Sequence, residues 1–381
     1  MIVFTQAHED LRALVREFAT KELAPRAAQL DREHAFPTEA WKRAGEMGLL
    51  GVMVPKEYGG EGMDHVALSI FVEEMARADG AVALVLDVTA GIVGECLLMA
   101  GTEAQKRKYL PAFCRAETLG AFCLSEPGSG SDAAALRTRG ELKGDRYVLN
   151  GTKTFITNGG VADVYVVMAR TAPGKGSRGI SAFLIEKGTP GLSFSPPFEK
   201  TGLHASQTCQ VILEDCRVPA ECRLGPEGDG FKMALQALDS ARAAVSAQAV
   251  GIAQGALDYA IEYTKQREAF GQPVIGNQGL QFLFADMAAQ LAAARALAYQ
   301  SAWMFDVGHA ERGKYAAMAK LFCTEAAAKI VGDAVVMLGG YGYMREYPIE
   351  KMYRDVKALQ IYEGTNHIQR VVIARHLLGA R

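Results

Sequence analysis

From Gly228 to Leu338 this chain of 381 residues carries four long alanine-rich helical periods, Phe231–Gln248, Ile252–Arg267, Gln278–Val307 and Tyr315–Leu338. Apolar residues that recur every three or four positions give each helix an apolar stripe, and such stripes are satisfied by packing on one another. Residues 228–381 are therefore expected to form a four-helix bundle.

The rest of the chain has two other textures. From Thr5 to about Ala100 the apolar residues again recur at three and four, as in Leu11, Leu14, Val15, Phe18 and Ala19, or Leu68, Phe71, Val72 and Met75. Phe36-Pro37-Thr38 starts one helix, Pro55–Gly60 forms a loop, and Thr102–Leu110 adds another helix. Near Leu119 short runs take over, with Tyr147–Leu149, Val164–Ala169, Ser181–Ile185 and Gln210–Leu213 separated by Gly, Pro and Asn turns. These predict a β unit in which Lys143-Gly144-Asp145 is a turn and Leu149-Asn150-Gly151 a hairpin. The expected architecture is α+β, with a helical domain over 1–118, a β domain over 119–227 and the bundle over 228–381.

Composition narrows the function. Forty-one Lys and Arg against 43 Asp and Glu are interspersed, with a net charge of -2. That leaves no basic stripe for a nucleic-acid backbone, so the partner is a small molecule. The apolar run Ala81–Leu86 and Val88–Val93 is broken by Asp87 and glycines, and is read as too short and too polar to span a bilayer. Met1–Glu9 lacks the basic start and apolar core of a secretion signal. Seven cysteines form no Cys-x-x-Cys pair and point to a reducing cytoplasm. Cys209, Cys216 and Cys222 read as small buried hydrophobes, and no metal is expected.

Chemistry gathers at a few motifs. In Gln360–Arg370, Glu363 stands at a bend between an aromatic and Gly364. Thr365 or Asn366 can cap the helix that Ile368, Val371, Val372 and Leu377 suggest. Phe122–Asp132 is a loop rich in glycine and serine whose exposed N–H groups suit a phosphate or the edge of a ring. Its spacing is neither a Walker loop nor a Rossmann fingerprint. Lys153–Gly160 presents Phe155 and Thr157 on one strand face. Arg267–Gly271, Asn277-Gln278 and Met337–Tyr343 mark helix ends, and each alone needs only dipole or C-cap chemistry.

Jointly and in this order the motifs resemble the acyl-CoA dehydrogenase family, over nearly the whole chain. The resemblance implies a barrel-like middle domain and an FAD cofactor. Phe122, Leu124 and Ser125, with Gly130, Ser131, Phe155, Ile156 and Thr157, match the positions that hold the isoalloxazine. Arg267, Phe270 and Gln278 match those holding the adenine dinucleotide part across a subunit interface, as do Met337, Gly339 and Gly340; Thr365 and His367 complete the cofactor set. Ser131, Asp239, Arg242 and Gly364 match positions that meet the acyl-CoA.

The implied reaction forms a double bond between the α and β carbons of a short or medium saturated acyl-CoA. Glu363 takes the α proton and flavin N5 the hydride, and the electrons pass to an electron-transfer flavoprotein. A homo-oligomer, a tetramer, is expected, with a role in fatty-acid β-oxidation. Some branched-chain relatives carry the base just before the arginine matched by Arg242; Ala241 stands there and leaves Glu363. Four residues depart from commoner family choices: Phe155 for tryptophan, Val336 for glutamine, His204 for arginine and His367 for glutamine or glutamate. Rival readings are a branched-chain dehydrogenase, an oxidase or desulfinase on the same scaffold, and a non-enzymatic helical assembly.

Overall fold

The computed structural model describes residues 3–379; residues 1–2 and 380–381 of the expected outer domains lie outside the described residues. The chain opens with helices α1 (Gln6–Phe18), α2 (Ala27–Glu33), α3 (Thr38–Glu46), α4 (His65–Ala78), α5 (Gly80–Val88), α6 (Gly94–Ala100) and α7 (Glu103–Cys114). The starts of α1, α4, α5 and α7 are set by side-chain caps. Thr5 and Thr102 form capping boxes with His8 and Gln105, and Asp64 and Asp79 accept from the first turns of α4 and α5.

Residues 80–100 correct the sequence reading. A wide π turn at Thr89–Val93 joins α5 to α6, so the helical stretch runs for 21 residues, long and apolar enough to cross a membrane by length and composition. Seventy-eight per cent of its apolar window is buried inside the protein. It is a core helix, kept from a bilayer by packing rather than by shortness.

Strands β1 (Gly120–Cys123), β2 (Arg139–Lys143), β3 (Arg146–Thr157), β4 (Val164–Arg170), β5 (Ile180–Glu186), β6 (Leu192–Phe194), β7 (Thr208–Pro219) and β8 (Arg223–Leu224) form one sheet in the order β6-β7-β3-β2-β4-β5-β8, with β1 beside β4. A single pairing, Arg139 with Arg170, joins its two halves. Tyr147 and Leu149 of β3, Tyr165 of β4, Phe183 of β5 and Leu213 of β7 fill a shared core, which gives the sheet its barrel-like form. Gly144-Asp145 is the tight loop between β2 and β3, as expected. Asn150-Gly151 is not a hairpin. β3 runs through it with a bulge, the Asn150 side chain pairs with Asp215, and a Cβ on Gly151 would come within 2.4 Å of Thr138 Oγ1.

Helices α8 (Gly230–Gln266), α9 (Gln278–Asp306), α10 (Arg312–Met337), α11 (Pro348–Leu359) and α12 (Asn366–Leu378) follow, with a short hairpin of β9 (Glu268–Ala269) and β10 (Gln272–Pro273) after α8. The two periods expected at Phe231–Gln248 and Ile252–Arg267 are one helix of 37 residues. Three long helices, with α11 and α12 packed on α10, therefore build the bundle.

Gly251, between the two expected periods, serves a helix crossing. A Cβ at Gly251 would lie 2.2 Å from the Glu73 carbonyl oxygen of α4, and one at Gly255 would lie 2.4 Å from that of Arg77. Bare backbone lets α4 approach α8 closely. At an exposed helical site Gly→Ala gains about 1 kcal/mol, but here overpacking reverses the sign. Gly251→Ala is expected to lower unfolding stability by about 1–3 kcal/mol in urea titration; a stabilised variant would refute the close crossing.

Candidate active site

The Glu363 bend lies between the end of α11 and the start of α12. Glu363 and Gly364 both take left-handed backbone angles, with φ of 56° and 87°. For a residue with a side chain this costs about 1–2 kcal/mol and persists only when its surroundings enforce it. Here they do. The Glu363 carbonyl accepts from Arg242 Nε and Gln369 Nε2, each at 3.1 Å, and the Gly364 carbonyl accepts from Lys320 Nζ and Gln369 Nε2, each at 2.9 Å. Glycine is favoured at 364 by its φ of 87°, which side-chain-bearing residues rarely adopt, and a Cβ there would also come within 2.8 Å of Gln369 Nε2. Thr365 is the residue that caps α12, through Ile368 N. Asn366 instead turns inward to Thr324 and Lys320.

The carboxyl of Glu363 is poised for proton chemistry. Its Oε2 is buried with no hydrogen-bond partner among the described residues. Burial pushes its pKa up to about 7, against the pull of Arg242 and Lys320. Arg242 is shared with Asp239, which it also pairs. Among the described residues no acceptor takes the Glu363 backbone N–H, which is left free to donate. A carboxyl whose pKa burial raises to about 7 thus stands beside an unused donor.

Lys320 was missed by sequence reasoning. It is fully buried in α10, and burial lowers its pKa to about 8. The available signal was a lone lysine among Ala316, Ala317, Ala319, Cys323 and Ala327, on the apolar stripe of that helix.

The β-domain residues form a second group. Lys153, 0% exposed, donates to Glu126 Oε1 at 2.8 Å and to the Leu124 carbonyl at 3.2 Å. Glu126 also accepts from Arg137 N, Thr138 N and Thr138 Oγ1. Burial works to raise its pKa, but Lys153 and these donors outweigh it and hold the carboxylate below its usual range. Thr154 N bonds the Ser125 carbonyl at 2.9 Å, so the loop is fastened to β3. Phe155 stands at a β3 bulge with φ of 57°, 70% exposed and next to Phe198. Ile156 is buried and Thr157 half-buried; Phe122 and Ser125 are half-buried and Leu124 is buried, whereas Gly130 and Ser131 are exposed. An open aromatic face beside a fastened backbone loop suits a flat ring.

A third group sits apart. A cavity of about 600 Å³ is lined by Arg267, Asn277, Val336, Met337, Gly339 and Gly340 among others, and includes none of the side chains that hold the Glu363 bend. Arg267 lies over the Tyr341 ring, 5.8 Å from its centroid. Phe270 is fully exposed, and Gln278 is exposed at the start of α9. Val336 offers this cavity no hydrogen bond. His367 is exposed, and no side-chain bond of it is found among the described residues. His204 ties the Lys200 carbonyl to Asp31, which pairs with Arg354.

Known proteins resemble this chain over nearly its whole length. The family models for the acyl-CoA dehydrogenase N-terminal, middle and C-terminal domains match residues 5–117, 121–216 and 228–378. An acyl-CoA dehydrogenase of Bacillus subtilis is 46% identical over 375 residues, 98% of this chain and 99% of that one. The mitochondrial short-chain specific acyl-CoA dehydrogenase of Mus musculus is 46% identical over 373 residues, 98% of this chain and 90% of that one. The solved structure of butyryl-CoA dehydrogenase from Megasphaera elsdenii superposes with a TM-score of 0.97 at 41% identity, covering 99% of this chain and 100% of that one. The chain belongs to the acyl-CoA dehydrogenase family, whose members are flavoprotein oxidoreductases acting on acyl-CoA.

Proposed function

We propose that the protein converts a short or medium saturated acyl-CoA to the trans-2-enoyl-CoA with FAD, using Glu363 as the base. The observation that carries this reading is the desolvated, unpartnered Oε2 of Glu363 on a backbone held from both flanks. The likeness to short-chain and butyryl-CoA dehydrogenases supports the chain-length class.

The residues present fit FAD. The exposed Phe155, with Ile156 and Thr157, offers a wall for the ring system, and Phe122, Leu124, Ser125, Gly130 and Ser131 offer backbone and hydroxyl donors around it. Phe155 gives no N–H of the kind an indole would supply. The cavity at Arg267, Met337, Gly339 and Gly340, with exposed Phe270 and Gln278, suits the adenine dinucleotide part of a cofactor bound to another copy of the chain. Thr365 and His367 flank the Glu363 bend and complete this set. Bound FAD supplies the acceptor for the hydride that leaves the β carbon.

Glu363 accepts the α proton as carboxylate and holds it as the neutral acid. Its own N–H donates to the thioester oxygen as enolate charge develops. Arg242 fixes the bend through the Glu363 carbonyl, and Asp239, Ser131 and Gly364 line the approach of the acyl-CoA. A tetramer is the proposed assembly, and the division 1–118, 119–227 and 228–381 its domain plan. Seven unpaired cysteines suit a reducing cytoplasm. The proposed electron acceptor is an electron-transfer flavoprotein.

Three outcomes follow. Glu363→Gln keeps the side-chain shape but not its basicity, so flavin reduction by butyryl-CoA should slow by at least about two to four orders of magnitude while the ligand still perturbs the flavin spectrum. Reduction at the parent rate rules Glu363 out as the base. For the parent, kcat/KM should rise with pH through about 7, because only the ionised carboxylate abstracts a proton; a flat profile between pH 5 and 9 contradicts this assignment. Reduced enzyme should be reoxidised quickly by an electron-transfer flavoprotein and slowly by dissolved oxygen, whereas the reverse order identifies an oxidase.

A further inference from the structure

One buried carboxyl near Glu363 has no task in the reaction above. Asp87 lies on α5, just before the π turn at Thr89–Val93, a kind of irregularity often found at functional sites. Leu84, one turn earlier on α5, and Tyr362, beside Glu363, both pack on the cluster of Ala81, Leu203 and Ala205, so this part of α5 lies near the Glu363 bend. Asp87 is only 9% exposed. Its Oδ1 is sealed from water and has no hydrogen-bond partner among the described residues. Gly91, one turn on, leaves room for that oxygen, since a Cβ there would come within 2.6 Å of Oδ1.

The neighbouring acid shows what Asp87 lacks. Glu95 is bonded by Ser240 Oγ and faces His65, which also pairs with Asp306. Asp87 has no such cation or hydroxyl. Burial, and then the charges of Glu363 and Glu95, push its pKa up to about 8, so it is a neutral acid at pH 7, able to donate and to accept. A buried polar group left unpaired is costly, and a ligand group that satisfies it gains affinity.

We propose that Asp87 is a specificity residue that hydrogen-bonds a hydroxyl on the acyl chain, distal to the thioester, so that the preferred substrates are hydroxylated acyl-CoAs rather than plain aliphatic ones. This rests on the reading of Glu363 as the base at the acyl site. An anionic chain end is excluded by Glu95 and Glu363, whose like charge would repel it. A hydroxyl meets a neutral acid without bringing a charge into the core.

The test compares kcat/KM of the FAD-loaded enzyme on acyl-CoAs from butyryl to octanoyl, each with and without a terminal hydroxyl. For at least one chain length the hydroxylated substrate should be favoured about tenfold in the parent. Asp87→Leu should remove that preference, and Asp87→Asn, which keeps a donor and an acceptor, should retain part of it. Plain chains turned over with no hydroxyl preference at any length overturn this inference alone; no turnover of any acyl-CoA overturns it together with the proposed function. A preference that survives Asp87→Leu also overturns it, and the parent ratio decides even if that variant does not fold.

Discussion

Arg242, Lys320 and Gln369 hold two consecutive carbonyls, those of Glu363 and Gly364, and so impose left-handed backbone on a glutamate. The position of its carboxyl is thereby fixed by main chain rather than by a flexible side chain. The three clamping residues come from α8, α10 and α12. Any shift in the packing of these helices reaches Glu363 directly, which makes the bundle a device for aiming one carboxyl.

The same clamp sets the electrostatics. Burial alone drives the Glu363 proton affinity upward, and Arg242 and Lys320 moderate it to a value near neutrality. Lys320 serves both purposes, as a hydrogen-bond donor to Gly364 and as a nearby positive charge. The close crossing of α4 over α8 at Gly251 and Gly255 binds the N-terminal helices to the helix that carries Arg242. On the β side, the Lys153–Glu126 pair fastens the loop of Leu124 and Ser125 to the strand of Phe155. Two pieces are therefore fastened in place, one bearing the proposed base and one bearing the proposed ring wall.

Much of this was legible in the sequence where local chemistry decides. A cap at Thr365 or Asn366, the turn at Gly144 and the helix ends at Arg267 and Met337 follow from residue type, and the α+β order follows from the change in period. What failed did so where tertiary contact decides. The gap between the periods ending at Gln248 and starting at Ile252 looked like a break because the role of Gly251, admitting a carbonyl of α4, lies far away in sequence. Asn150-Gly151 looked like a hairpin because its partner Asp215 is on another strand. The stretch around Asp87 looked too short and too polar to span a bilayer because the burial of that acid and the turn joining α5 to α6 are invisible locally. Lys320 was overlooked since nothing near it in sequence shows that it points at Gly364. The grouping of motifs into a single family was legible only jointly, as each alone has an ordinary structural explanation.

Glu363 carries a carboxyl whose proton affinity is raised by burial while its backbone is clamped. Infrared difference spectra of the FAD-loaded enzyme, titrated across neutral pH and compared with Glu363→Gln, observe that carboxyl directly. A protonated-carboxyl band that titrates with a midpoint of about 7 and is missing in the variant is the predicted result. A Glu363 carboxyl already ionised at about pH 5, near the ordinary value for glutamate, would contradict it.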